Sequence, residues 1–408
     1  MQTRKKYFLL IALFYTLYII FPLFGDLANI PVWLPSILSS ILVISLYPSA
    51  IKNKAFYWFC IYALVLTVFL FVGKPLTIGI GTVADNKKIF IEFSYILPVL
   101  SIFSVFFYLK DYELTKKYVV WSTIFLYASF IVAVPLMIKY NSLREALGEQ
   151  SQSLSIPGLP TYSLMHAYTL FLAPVCYAVK SFHGYRRIMS IAALIVLCIV
   201  IYSTFVTTSL IMMLVILLVV LTYNGKVNSM FFYLFLAAIL FFLYEEGFFV
   251  KLIDSIYPLF EDTAVEGKLN DFRASMVGGE IVGDNITTRS NLHTISWNSF
   301  ITNPLWGTSV VGGHSSILDR FGGMGILGGL PYMMIFVSFY KMVRKMLQGT
   351  STTPVFFISF LSGMVFLYEK GIWDGGSWQM FMVMMPMALL ICGKSRVRFI
   401  ANRIGGEG

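Results

Sequence analysis

Apolar runs of about twenty residues follow one another along most of this chain, and short polar segments separate them. A bilayer core about 30 Å thick is crossed by roughly 20 helical residues, because each residue adds about 1.5 Å. The pattern predicts an all-α polytopic integral membrane protein with about 12 transmembrane helices, in which residues 1–408 form a single transmembrane domain. The predicted spans are 7–24, 30–48, 55–73, 89–109, 118–138, 161–179, 188–204, 207–223, 229–244, 323–340, 354–369 and 377–393. The run 188–223 also admits a different division.

Composition supports this class. Of the 408 residues, 58% are hydrophobic and 12% are charged, whereas soluble domains carry about 25% charged residues. The first apolar run follows "TRKK" without a small-residue cleavage site, so we expect a retained anchor and not a cleaved signal peptide. The cysteines fall in apolar runs, so we expect small core residues and not disulfides or metal ligands. They are Cys60, Cys176, Cys198 and Cys392.

Lys and Arg predict the orientation. With the N-terminus in the cytoplasm and alternating spans, most of the 30 basic residues fall on short cytoplasmic segments, as the positive-inside rule requires. We therefore expect a multi-pass protein with both termini in the cytoplasm. The net charge of +10 follows from this topology. No basic stripe with interleaved aromatic residues is present, so no nucleic-acid partner is predicted.

Two external segments, 139–160 and 245–322, are much longer than the other loops. Long loops in compact proteins are usually functional or disordered. The second contains helical, aromatic and Gly-rich parts. We predict that the two loops together form the active site.

A helix is predicted at residues 288–300 in the second loop. Thr287 or Thr288 could cap its start, and Asn303-Pro304 would end it.

Three residues of this helix, Arg289, His293 and Trp297, are spaced by four and share one face. That face is either a functional surface or a solvated face with an aromatic anchor. Function is favoured for Arg289, because external arginines are scarce and the guanidinium fork binds phosphate oxygens in pairs.

Residues 305–329, "LWGTSVVGGHSSILDRFGGMGILGG", place polar side chains in a Gly-rich context at the start of an apolar run. A neutral His can take a proton from a hydroxyl, so His314 is a candidate general base. It could equally cap a helix or bond to a backbone carbonyl. Asp319 and Arg320 are candidate substrate-binding residues because of their position.

Further substrate-binding candidates come from both loops. Arg144 lies in the first loop and Arg273 in the second. Tyr162 and His166 are four apart at the head of a span. The alternative for this pair is an interfacial tyrosine and a buried, hydrogen-bonded histidine.

Motifs for metal, nucleotide or thiol chemistry are missing from the chain. It has no D-x-D pair, Walker loop, G-x-S-x-G, H-E-x-x-H or C-x-x-C. No cytoplasmic segment is large enough to bind a nucleotide. We predict no metal and no cofactor, and a substrate that arrives on the outer side already activated.

Together these features resemble the Wzy-type bacterial polysaccharide polymerases and the related O-antigen ligases. The matching elements are Arg289, Trp297, "NPLWG", "GGHSSILDRFG" and "GILGG". The ligases usually have His-Asn where this chain has His314-Ser315, so the polymerase branch is more similar.

The resemblance implies a fold like that of the metal-independent, lipid-dependent (GT-C-like) glycosyltransferases, in the bacterial cytoplasmic membrane. It implies that undecaprenyl-diphosphate-linked repeat units are polymerised on the outer leaflet into O-antigen, capsule or exopolysaccharide. By motif position, Arg289 and His314 are the implied catalytic residues, and Arg144 would help hold the diphosphate. Implied partners are the lipid-linked glycan, membrane lipids, a flippase and a chain-length regulator.

Two other functions remain open. A ligase would use the same chemistry with a lipid-A core or another acceptor. A transporter or flippase for lipid-linked glycans is the alternative of a different class. Transporters often have inverted repeats and ionisable residues in mid-membrane, whereas this chain has no detectable repeat and its ionisable residues lie at span ends.

Overall fold

The structure is a computed structural model of the chain. It describes residues 2–28, 30–71, 77–78, 82–83, 86–139, 157–159, 161–204, 207–222, 251, 254–255, 257–259, 266, 285–308, 310–369 and 374–393.

The described part is mostly helical. Its helices are α1 (Gln2–Ile20), α2 (Pro22–Ala28), α3 (Trp33–Leu46), α4 (Lys54–Phe71), α5 (Asn86–Leu109), α6 (Tyr112–Lys139), α7 (Tyr162–Ser181), α8 (Tyr185–Ser203), α9 (Thr207–Thr222), α10 (Asn285–Thr302), α11 (Leu318–Met346), α12 (Thr353–Glu369) and α13 (Gly375–Gly393). A short 3₁₀ turn covers Tyr257–Leu259.

Apart from α2 and α10, the helices coincide with predicted apolar runs, and 188–223 is divided into α8 and α9 as expected. The predicted span 229–244 lies outside the described residues. Among the described residues, α6, α8, α11 and α13 are long and apolar enough to cross a membrane, and several shorter helices are also apolar. The chain is thus a helical membrane protein, while the total of about 12 spans stays a prediction.

Burial is distributed as expected for a bundle in lipid. α13 is the central helix, with 94% of its apolar window buried, whereas α8 has only 17% buried. Large apolar side chains on the outer helices are exposed, such as Ile131, Ile188 and Leu214. Large apolar patches are rare on soluble monomers, and exposed apolar side chains on several helices are what a lipid-facing surface requires.

Segments predicted to be external meet at one end of the bundle. The amide of Gly158 donates to Oδ2 of Asp26 at 2.7 Å. The hydroxyl of Thr161 donates to Asp374, the residue before α13. These contacts join the segments that follow α1, precede α7 and precede α13.

Segments predicted to be cytoplasmic also contact one another, away from this end. Nζ of Lys5 lies 2.5 Å from Oδ2 of Asp111, between α5 and α6. The hydroxyls of Tyr177 and Ser351 also form a hydrogen bond. The grouping agrees with the predicted alternation of spans, whereas the assignment of either end to the cytoplasm rests on the Lys and Arg distribution alone.

α11 is broken near its start. Gly325 has φ +60° and ψ −157°, which is not helical. Residues 304–308 fill the break, and the carbonyl of Pro304 accepts a hydrogen bond of 2.8 Å from the amide of Ile326. Irregular backbone at membrane depth is tolerated where protein satisfies its polar groups, so the inserted segment stabilises the break.

The same insertion explains why residue 307 is a glycine. The amide of Thr308 donates to the carbonyl of Gly322 at 3.0 Å. Gly307 has φ +66°, and a Cβ at this position would collide with the backbone of Gly322 and Gly323. The backbones of the "NPLWG" and "GGMG" segments thus pack directly against each other.

A small sheet, absent from the all-α prediction, tethers the loop after α10. Its order is β2 (Thr82–Val83), β1 (Thr77–Ile78) and β3 (Val310–Val311), with β1 parallel to β3. Two-residue strands carry no usable period, so the sequence pattern could not predict them.

Asp111 provides a test of the contacts at the predicted cytoplasmic end. Its Oδ1 accepts from the amide of Leu114 at 3.1 Å, as an N-cap of α6. The hydrogen bond from Lys5, followed by the Leu114 amide, lowers the pKa of Asp111 below its usual value. Asp111→Ala should lower the free energy of unfolding by about 1 kcal/mol, and Asp111→Asn should lower it less because it keeps an acceptor for Leu114.

The pH dependence has a definite sign. A carboxyl with a lowered folded pKa stabilises the protein above its unfolded pKa, and the stabilisation is lost as the pH falls through the folded pKa. Thermal midpoints in detergent should therefore differ between wild type and Asp111→Ala at neutral pH and converge in acid. Equal midpoints at neutral pH would show that the contact contributes nothing.

Candidate functional site

Asp319, in the first turn of α11, organises the loop that carries His314. Its Oδ1 accepts from the amide of Gly313 at 3.3 Å, and its Oδ2 from the amide of Ser315 at 3.2 Å. The two donors flank His314 in the chain. Asp319 is only 5% exposed, so a buried carboxylate holds the residues on either side of His314, which is the tip of the loop.

Ser296 connects this loop to α10. Its Oγ donates to Oδ1 of Asp319 at 2.6 Å and accepts from the amide of Gly312 at 2.8 Å. A Cβ at Gly312 would collide with the backbone of Leu292. A glycine at this position therefore lets the loop lie directly on α10.

His314 is exposed at the crest of the held loop. On the other side of the crest, the amide of Ser316 donates to the carbonyl of Leu367 in α12 at 2.9 Å. Oγ of Ser315 accepts from the amide of Leu318 at 3.1 Å, where α11 begins. The loop is thus fixed by α10, α11 and α12, and the imidazole is presented at the surface.

His293 of α10 lies on the inner side of this cluster. Its ring centroid is 5.1 Å from that of Tyr368. Its Nε2 is buried and forms no hydrogen bond to the residues that the structure describes. His293 is therefore half-buried, with its Nε2 shielded from solvent.

Arg320 points into the bundle. It is 3% exposed, and its Nε donates to the hydroxyl of Tyr62 in α4 at 2.7 Å. Its guanidinium carbon lies 5.6 Å from the ring centroid of Tyr332, and the two tyrosine rings are 5.2 Å apart. The position of the side chain fits a packing role better than surface binding of an anion.

The predicted helix of the second loop is confirmed as α10, with different bounds. It begins at Asn285, so Thr287 and Thr288 lie inside it and the predicted cap at either of them is wrong. It ends at Thr302, directly before the predicted Asn303-Pro304 stop.

The residues predicted to share one face of α10 have different surroundings. Trp297 is 50% exposed and contacts Phe300, whereas His293 is half-buried against Tyr368. Arg289 lies in α10 one turn before His293, and its side chain is outside the described part of the chain. Small buried residues, Ser296 and Ser299, form the side that packs inward.

His166 is 2% exposed in α7, with Nδ1 2.7 Å from Oγ of Ser209 and its ring stacked on Phe366 at 4.8 Å. This is the environment of a packed, hydrogen-bonded histidine, the alternative that the sequence left open. Tyr162 begins α7, and its side chain is not among those described. Arg144 and Arg273 lie outside the described residues.

Helix α12 contacts α7, the His314 loop and α10. Its consecutive residues Phe366, Leu367 and Tyr368 contact His166, Ser316 and His293 respectively. Of the predicted site residues, the structure therefore brings His293, His314 and Asp319 together, with Arg320 directed inward.

Sequence reasoning missed Ser296 and Tyr62. Tyr62 contacts Arg320 across 258 positions of sequence, and no local pattern indicates that pairing. No protein-family model and no curated protein matches this chain in sequence.

Proposed function

We propose that this protein polymerises undecaprenyl-diphosphate-linked oligosaccharide repeat units into surface polysaccharide on the outer face of the bacterial cytoplasmic membrane. The reaction class is a metal-independent, inverting glycosyl transfer. The fold proposed to carry it is the GT-C-like architecture with about 12 spans and both termini in the cytoplasm.

The observation that carries the proposal is the loop at residues 312–315. Its amides on either side of His314 donate to the buried Asp319 carboxylate, and the imidazole is exposed. A catalytic group needs this combination of a fixed backbone and access to substrate. The carboxylate acts through the loop, so Asp319 is a positioning residue.

In the proposed step, an acceptor sugar hydroxyl attacks the anomeric carbon of the donor glycan. The carbon–oxygen bond to the diphosphate breaks, and undecaprenyl diphosphate leaves with the bonding electrons. His314 takes the proton of the attacking hydroxyl. Arg289, aided by Arg144 and Arg273 from the two external segments, would stabilise the charge that develops on the diphosphate.

One structural feature favours a second candidate function. Secondary transporters often bind substrate where helices are discontinuous, and α11 is broken at Gly325. Residues 304–308 fill this break with backbone, which favours a structural role for it. Transport of a lipid-linked glycan would create no new glycosidic bond, so the two functions are separated by their products.

Purified protein, given the lipid-linked repeat unit as its only glycan, should produce a ladder of longer lipid-linked glycans. A polymerase needs only this substrate because donor and acceptor are of the same kind. The ladder should persist in EDTA. Product that forms only after addition of a lipid-A core or protein acceptor would indicate a ligase. A substrate that stays unchanged with these acceptors present would contradict both enzyme functions.

A further inference from the structure

A second site lies at the same predicted external end of the bundle. An open cavity of about 470 Å³ is lined by residues of α1, α2, α5, α7 and α13 and of the segment before α3, and no residue of the 312–320 segment lines it. Pockets that bind small ligands usually measure about 300–1,000 Å³. The cavity is therefore large enough for a small ligand and separate from the His314 loop.

Hydroxyls and carboxylates line one part of this cavity. They belong to Tyr18, Asp26, Tyr95, Thr161 and Asp374. Apolar side chains such as Pro22, Pro31 and Leu164 line the rest. A wall of this kind suits a ligand with both hydroxyl groups and apolar C–H faces.

Both carboxylates are held in place by the fold. Oδ1 of Asp374 accepts from the amide of Ser377 at 2.8 Å and from its hydroxyl at 2.6 Å, which caps α13, and the other oxygen accepts from Thr161. Oδ2 of Asp26 accepts from Gly158. Within the described ranges, Oδ1 of Asp26 accepts no hydrogen bond, and Asp26 is exposed. One carboxylate oxygen thus remains to accept from a ligand.

We infer that this cavity binds a sugar residue without negative charge, as a subsite for the glycan part of the repeat unit. Two carboxylates repel phosphate and uronic acids, and they accept hydrogen bonds from neutral hydroxyls. The lipid diphosphate then binds elsewhere. The inference rests on the proposed function for the identity of the glycan, but binding can be measured without turnover.

Gly25 offers a reporter position in the cavity wall. A Cβ there would meet only ordinary contacts, the nearest being the Tyr18 carbonyl oxygen at 3.5 Å. In nanodiscs, a Gly25→Cys variant should react with a membrane-impermeant maleimide, after subtraction of the wild-type signal. Methyl glucoside and N-acetylglucosamine should slow this reaction, and glucuronate at equal concentration should protect with an apparent affinity about tenfold weaker.

Two controls sharpen the measurement. Leu27→Cys lies on the same short helix, is 73% exposed and is not part of the cavity wall, so no sugar should protect it. Adding Asp26→Asn to Gly25→Cys keeps an acceptor for Gly158 but removes one charge. The difference in apparent affinity between neutral sugar and glucuronate should therefore become smaller.

The inference is overturned if none of the sugars protects Gly25→Cys, if glucuronate protects it as well as the neutral sugars, or if Leu27→Cys is protected equally. Its failure is distinguishable from that of the proposed function. A ladder without protection rejects the cavity assignment alone, and protection without a ladder rejects polymerisation alone.

Discussion

His314→Ala should slow formation of the glycan ladder by about 10²–10⁴-fold, the usual loss when a general base is removed. The loop itself should remain in place, because Asp319 accepts hydrogen bonds from the amides of Gly313 and Ser315. Substrate binding and the thermal midpoint should therefore stay close to those of wild type. The measurement is the initial rate of ladder formation by purified protein in detergent or nanodiscs.

A matched control uses another exposed histidine. His183 lies between α7 and α8, at the predicted cytoplasmic end, and is also exposed. His183→Ala should leave the rate unchanged. A wild-type rate in His314→Ala would show that the exposed imidazole is not the base, and His293 would become the next candidate.

Gly325→Ala should have the largest effect on folding. The residue has φ +60° and ψ −157°, a region that is essentially restricted to glycine and costs other residues about 1–3 kcal/mol. A Cβ would also collide with the carbonyl groups of Pro304 and Leu305. Strain and collision together should cost several kcal/mol, observed as a lower thermal midpoint and a smaller monodisperse fraction on size exclusion.

Gly349 separates the two contributions. It has φ +80°, but nothing lies within 4 Å of the position of an added Cβ. Gly349→Ala should therefore have the cost of a positive φ without any collision, and it should lose much less stability. Equal losses in the two variants would contradict the account of residues 304–308 as a rigid insertion into the break of α11.

The helices were the most predictable part of the fold, because long apolar runs in a membrane protein leave few alternatives to helix. The end of α10 was also predictable, since Asn303-Pro304 is a strong local stop. Its start was not. The first turns of α10 carry no strong apolar period, and the two threonines that resemble caps lie inside the helix.

The glycines of residues 305–329 show how far local reasoning extends. Their clustering is visible in the sequence, and in the structure an added Cβ would collide with backbone at Gly307, Gly312 and Gly325. It could not indicate which backbone approaches. Those partners come from the break in α11 and from α10, and they give these glycines a structural reason that is independent of any substrate.

Polar partners across long sequence distances were equally hidden. Asp319 was predicted as a substrate-binding residue by position alone, and in the structure it holds the His314 loop and accepts from Ser296 of α10. Arg320 likewise donates to Tyr62 of α4, a partner that is distant in the sequence. A single sequence specifies which residues are polar, whereas the packing of α10 and α4 against α11 decides what they contact.

The central claim is a single displacement, with His314 as base, between two lipid-linked repeat units. The anomeric configuration of the newly formed linkage tests it most directly. With a synthetic donor of known configuration, the new glycosidic bond should be inverted when its configuration is determined by NMR of the isolated product. A retained configuration would require a double displacement through an intermediate and would contradict the proposed mechanism.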